Sequence, residues 1–107
     1  MLMAYGQGVF QEGPRCFRGR IVLNDHRLFL QGPDGDLAAT YIPMEKVVRV
    51  RRTLRGLKVY VRASMVKTYQ VLIKGQRRHL GELVRDLVKK RYLTKKFIWP
   101  EWYDASS

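Results

Sequence analysis

The sequence is poor in cysteine, and it contains no long apolar run. Its single cysteine, Cys16, excludes an internal disulfide framework and is compatible with a reducing compartment. No stretch approaches the roughly 18 consecutive apolar residues that a transmembrane helix needs, and residues 1–7 lack the basic and apolar segments of a secretory signal. We therefore expect a cytoplasmic protein without a transmembrane segment, either free or peripheral to the membrane.

Residue types that carry catalysis or bind metal are also scarce. The two histidines, His26 and His79, are far apart in the sequence, in a predicted turn and at a predicted helix start. One cysteine and two histidines provide no zinc-binding spacing. No glycine-rich loop of the phosphate-binding type precedes a helix, and the acidic residues are few and scattered. We therefore expect no enzymatic activity, no cofactor and no metal site.

Positive charge is abundant, and it is concentrated in one part of the chain. The formal net charge is +12 over 107 residues. Residues 46–96 hold seventeen lysines and arginines against Glu82 and Asp86, a net of +15, whereas residues 1–45 have a net of −1. This asymmetry favours a polyanionic partner, either nucleic acid or an anionic membrane surface. The alternative is a solvated surface that keeps a small protein soluble.

Two hydrophobic periodicities predict the fold. Apolar residues alternate with polar ones in short runs over about residues 8–74, which predicts six or seven half-buried strands. Spacings of three and four residues predict one amphipathic helix over about residues 76–92, with its apolar face formed by Leu80, Leu83, Val84, Leu87 and Val88. The expected fold is α+β and mainly β. Its antiparallel strands form a small partly open barrel or two packed sheets, capped by one C-terminal amphipathic helix.

Two short motifs resemble a known family. Residues 19–30 (GRIVLNDHRLFL) and residues 41–47 (YIPMEKV) are similar to hairpin and strand-connection motifs of GRAM and related bacterial pleckstrin-homology-like domains. The resemblance spans roughly residues 8–92. It implies one pleckstrin-homology-like domain over residues 1–94, on a scaffold that binds phosphoinositides, other lipids or proteins. The first hairpin departs from the phosphoinositide-binding signature, because its cations are Arg18, Arg20 and Arg27 with no lysine.

The strongest candidate for an anion-binding surface is a predicted hairpin of residues 46–52 and 57–62. Alternation places cations of both strands on one outer face, with further cations at the turn and one tyrosine among them. Like charges opposite one another destabilise a sheet unless an anion neutralises them. The alternative is a solvated edge that uses charge against aggregation. The candidate residues are Arg49, Arg51, Arg52, Arg55, Lys58, Tyr60 and Arg62.

The remaining residues, 95–107, form an aromatic tail that we expect to pack on the domain. Phe97, Trp99 and Trp102 either cover a gap in the core or serve as interface anchors for a protein, for lipid headgroups or for a second copy of the chain.

Three functions remain open. The first is a non-enzymatic adaptor whose basic face binds an acidic protein or anionic membrane lipid. The second is nucleic-acid binding by a small β-rich domain, and the third is an oligomerisation module.

Overall fold

The computed structural model describes residues 2–32, 37–97 and 102–105, and most of these residues lie in strands. Seven strands precede the long helix and two follow it. The elements are β1 (Met3–Glu12), β2 (Arg15–Leu23), β3 (Arg27–Gln31), β4 (Leu37–Pro43), a 3-10 helix (Met44–Lys46), β5 (Val47–Arg52), β6 (Leu57–Arg62), β7 (Thr68–Gly75), α1 (Arg77–Arg91), β8 (Leu93–Phe97) and β9 (Trp102–Ala105).

The nine strands form one antiparallel sheet, so the prediction of six or seven strands in a partly open barrel or two packed sheets is wrong. The order across the sheet is β4-β3-β2-β1-β7-β6-β5-β9-β8. Strand β1 makes the sheet continuous, because it pairs with β2 along most of its length and with β7 over residues 8–11. Alternation predicts strands but not their neighbours, which is why the double pairing of β1 was missed.

The inner face of the sheet follows the apolar pattern, and one register shift, in β5, decides which residues of the candidate hairpin are buried. Leu57, Val59 and Val61 of β6 are buried, as period-two alternation requires. In β5 the register shifts between Val47 and Arg49. Such a bulge inserts one extra residue, and it directs both Val47 and Val50 into the core. Arg49 and Arg51, which flank buried Val50, therefore lie on the outer face of the sheet.

The helix covers this inner face through a single apolar stripe. Leu80, Leu83, Val84 and Leu87 are buried in the same cluster as the strand residues. Helix and sheet are also joined by the phenol of Tyr5 in β1, which donates a hydrogen bond of 2.5 Å to Asp86 Oδ2. Burial and this hydrogen bond raise the pKa of Tyr5 above its ordinary value, so the phenol remains a donor. No helix in the described ranges is both long and apolar enough to cross a bilayer.

The helix does not end the fold, contrary to the prediction of a C-terminal cap. It stops at Tyr92, which adopts a left-handed conformation with φ of 54° and donates its backbone N–H to Val88 O. The chain then forms β8 and β9, and β9 pairs with β5. Leu93 is buried, and Tyr103 and Ala105 pack against the core. Part of the aromatic tail thus completes the sheet beside the hairpin of β5 and β6, which we call the basic hairpin.

Candidate functional site

Strands β5 and β6 pair as a hairpin, and this register brings most of the candidate cations together. Arg49 lies opposite Tyr60, and Arg51 lies opposite Lys58. Arg55 lies in the turn that follows Arg52, where the Thr53 hydroxyl donates to Gly56 O at 3.0 Å and accepts the backbone N–H of Arg55. Arg62 is separated from this group, because it lies at the far end of β6 opposite Thr68 of β7.

Strand β9 places the Asp104 carboxylate against the outer face of the β5–β6 hairpin. Sequence reasoning missed this carboxylate. Arg49 Nε donates to Asp104 Oδ1 at 2.6 Å, and Trp102 Nε1 donates to the same oxygen at 2.8 Å. The Arg49 guanidinium carbon lies 4.0 Å from the centroid of the Trp102 ring. Arg49 therefore stabilises the docking of β9, and its charge is matched within the chain. No local pattern indicated Asp104, because the pairing of β9 with β5 spans about 50 residues.

The ion pair predicts a loss of stability in acid. Burial alone would raise the pKa of the Asp104 carboxyl, but hydrogen bonds from Arg49 and Trp102 outweigh it and hold the pKa below its ordinary value. The stabilisation is therefore complete above the unfolded-state pKa of about 3.9 and is lost as the pH falls through the lower pKa of the folded state. We expect Asp104→Asn to cost about 1 kcal/mol at pH 7 and less near pH 2, measured as urea unfolding at each pH.

Asp25 provides the matched control for this measurement. Its carboxylate pairs with Lys90 Nζ at 2.8 Å, but its side chain is 60% exposed, against 24% for Asp104. Exposed ion pairs contribute little to stability, so Asp25→Asn should have a smaller effect at pH 7. Equal effects of the two substitutions would contradict the role given to the Arg49–Asp104 pair.

The arginines beyond Arg49 line a cavity of about 540 Å³ at the turn end of the hairpin. It lies between the β5–β6 turn and the start of α1, and we call it the arginine cavity. Four of the residues that line it are arginines, and no acidic residue is among its described lining. These residues are Arg51, Arg52, Thr53, Leu54, Arg55, Gly56, Leu57, Gly75, Arg77 and Leu80.

Two of these arginines are held in place by their surroundings. Arg51 Nε is buried and has no hydrogen-bond partner among the described residues, and its guanidinium carbon lies 5.7 Å from the centroid of the Trp102 ring. Arg52 reaches across to the helix, where its Nη1 atom is 3.8 Å from the position of a Cβ on Gly81. Both side chains are half-buried, and both line the cavity.

The other two arginines are exposed. Arg55 is in the turn, and Arg77 is in the first turn of α1. Gln76 begins this helix without a side-chain cap, and its first turn holds no acidic residue. Backbone N–H groups at a helix start have no partner within the helix and add to the positive potential. The whole arrangement therefore suits a phosphate or carboxylate group, which arginine can bind in a two-pronged geometry.

A second cavity, of about 380 Å³, is less suited to an anion. Its lining combines both signs of charge. The Arg27 guanidinium carbon lies 4.9 Å from the centroid of the Tyr41 ring, so this cation already has an aromatic contact. The lining residues are Asp25, His26, Arg27, Tyr41, Pro43, Met44, Glu45 and Lys46.

The three predicted interface aromatics have different positions. Trp102 is half-buried and stacks on Arg49. Phe97 lies in β8 in register with Trp102, and Trp99 lies outside the described residues. Within the described ranges, no three His, Cys, Asp or Glu residues form a group that could hold a metal ion.

The sequence was also compared with known proteins. It matches no protein-family model, and no curated protein matches it. The resemblance to pleckstrin-homology-like domains therefore remains a prediction that depends on the two sequence motifs.

Proposed function

We propose that the chain is a non-enzymatic binding module that holds an acidic segment of a partner protein in the arginine cavity. The observation that carries the proposal is that Arg51, Arg52, Arg55 and Arg77 converge on one concavity. A cluster of cations at one concavity attracts an anion, and arginine can hold a carboxylate with two hydrogen bonds.

The shape and lining of the cavity favour a peptide segment. A concavity surrounds a protruding group, whereas a flat basic face lies against an extended surface. Leu54 also lines the cavity and is exposed, so it offers apolar contact beside the charges. An acidic segment with an apolar side chain matches both features. The outer face of the hairpin is a weaker candidate, because Asp104 already pairs with Arg49.

Nucleic acid is the second candidate, and the lining argues against it. Single-stranded nucleic acids bind largely by stacking their bases on aromatic side chains. The described lining of the arginine cavity includes no aromatic residue. Of the aromatic residues beside the hairpin, Tyr60 contacts Arg49, and Trp102 contacts Arg49 and Arg51 without being among the lining residues.

The test uses a short fluorescein-labelled peptide of glutamate and leucine, with fluorescence anisotropy as the readout. We expect Arg55→Ala combined with Arg77→Ala to weaken binding about tenfold or more, because two charge-assisted hydrogen bonds are lost. Both side chains are exposed, and neither makes a hydrogen bond or ion pair with another described residue. The fold should therefore tolerate the change, which circular dichroism checks.

Arg62→Ala is the control, because Arg62 is exposed and lies outside the cavity. An equal loss of affinity in Arg62→Ala would indicate unspecific charge attraction and reject the cavity. A labelled single-stranded oligonucleotide and anionic vesicles serve as competing probes. The peptide proposal fails if the oligonucleotide or the vesicles bind more tightly than the peptide and this binding is lost in the Arg55→Ala, Arg77→Ala variant. The cavity would then bind that probe's class of ligand.

A further inference from the structure

The β6–β7 turn presents two adjacent apolar side chains to solvent. Met65 is 98% exposed and Val66 is 92% exposed, the highest values among the large hydrophobic side chains of the described residues. Single exposed apolar residues are common on protein surfaces. An adjacent pair at the tip of a hairpin is a different arrangement, because both side chains project into solvent from one point.

The turn holds these two side chains outward. Ala63 donates its backbone N–H to Lys67 O at 2.9 Å, and Ser64 donates to the same oxygen at 3.2 Å. The Ser64 hydroxyl accepts the backbone N–H of Val66 at 3.4 Å. The exposure of Met65 and Val66 is therefore built into a hydrogen-bonded turn.

Cations flank the apolar pair. Arg62 precedes it and Lys67 follows it, and both are exposed. We call Arg62, Met65, Val66 and Lys67 the β6–β7 tip. Glu45 lies two residues before Val47, which is opposite Val61, and Lys46 follows it directly; Glu12 lies opposite Arg15 in the β1–β2 pairing. The charge at the tip is therefore predominantly positive.

The C-terminus of α1 brings further cations close to the β6–β7 tip. Arg91 Nε donates to Val47 O at 3.0 Å, and Val47 lies opposite Val61, one residue before Arg62. The register thus places the C-terminus of α1 at the tip end of the hairpin. Tyr92, 81% exposed, follows there directly after the basic last turn of the helix.

We propose that the β6–β7 tip attaches the chain to an anionic lipid bilayer. Met65 and Val66 enter the boundary between headgroups and acyl chains, while Arg62 and Lys67 contact lipid phosphates. Apolar insertion combined with attraction of cations to anionic lipid is the physical basis of interfacial binding. The complementarity between a basic tip and an anionic surface favours the bilayer over a second copy of this chain, whose tip carries the same charge.

This inference is independent of the proposed function. The tip and the arginine cavity lie at opposite ends of β6, since the β5–β6 turn precedes Leu57 and the β6–β7 turn follows Arg62. A peptide in the cavity and a bilayer at the tip can be bound together. The chain would then link an acidic protein to a membrane.

The experiment is vesicle co-sedimentation with phosphatidylcholine alone and with a phosphatidylcholine–phosphatidylserine mixture. The wild type should partition about tenfold or more strongly onto the anionic vesicles, because two cations approach the surface. Met65→Ser combined with Val66→Ser should reduce that partitioning about tenfold without changing the charge. Arg55→Ala combined with Arg77→Ala should leave it unchanged, which separates this test from that of the cavity.

Leu54→Ser is the matched control, because Leu54 is 86% exposed at the opposite turn of β6. Its partitioning should equal that of the wild type. The proposal is rejected if the Leu54 variant loses as much binding as the tip variant, or if the tip variant binds as the wild type does. It is also rejected if light scattering without vesicles shows an oligomer that the tip variant abolishes, since the tip would then be a self-association surface.

Discussion

Gly56→Ala is expected to destabilise the protein by about 3 kcal/mol or more. Gly56 has a φ of +152°, a conformation that residues with a side chain rarely adopt. A Cβ at this position would also collide with the carbonyl oxygen of Ile73 in β7. That oxygen is backbone in the middle of the sheet, so the clash is relieved only by moving the hairpin. Urea unfolding followed by circular dichroism measures the loss.

Gly13→Ala separates the clash from the backbone strain. Gly13 also has positive φ, at +59°, but a Cβ there would meet no atom within 4 Å. Its substitution should cost only the conformational strain, about 1 kcal/mol. If the two alanine variants lose equal stability, the close approach of β5–β6 to β7 at Gly56 is not what restricts this position.

Because Gly56 also lines the arginine cavity, a folded Gly56→Ala variant should bind the acidic peptide more weakly.

Removal of residues 98–107 is the second change with a large expected effect. Strand β9 pairs with both β5 and β8, so the deletion leaves each without that neighbour. The core also loses Tyr103 and Ala105, which pack against it. We expect a loss of about 3 kcal/mol or more in the free energy of unfolding, together with self-association through the newly exposed edge of β5. Urea unfolding and light scattering measure the two effects.

Asp104→Asn is the control for the deletion, since it removes the ion pair with Arg49 but keeps the strand. It should remain monomeric if the wild type is monomeric, and it should lose about 1 kcal/mol. A shortened chain that is no less stable than Asp104→Asn would contradict the structural role of β9. The comparison therefore separates the contribution of strand pairing from that of one charged contact.

Local patterns in the sequence predict the faces of individual elements. Leu57, Val59 and Val61 point inward because β-strands alternate with a period of two, and no knowledge of the neighbouring strand is needed. The buried stripe of α1 was predicted for the same reason, since a helical period depends on the sequence alone. The Val47–Arg49 bulge was not predicted, because Val47 and Val48 are interchangeable apolar residues until a partner strand fixes the register.

Local patterns do not predict which strands pair when the strands are far apart in the sequence. The pairing of β9 with β5 depends on how the chain returns after α1, and nothing within either strand encodes it. Arg49 was therefore predicted as an anion-binding residue, whereas Asp104 already pairs with it in the structure. Arg77 was not among the predicted anion-binding residues. Its place in the arginine cavity became visible once the β5–β6 turn was located beside the start of the helix.

The position of β9 in the sheet has a consequence for protein synthesis. About 50 residues separate β5 from the strand that covers its edge, and a ribosome that adds about 5–20 residues per second needs several seconds to make them. During that interval the edge of β5 is open to pairing with another nascent chain. Arg49, Arg51 and Arg52 lie along this edge, and charged side chains on an open edge oppose such pairing. The same arginines would thus protect the incomplete sheet from aggregation before they contribute to the finished molecule.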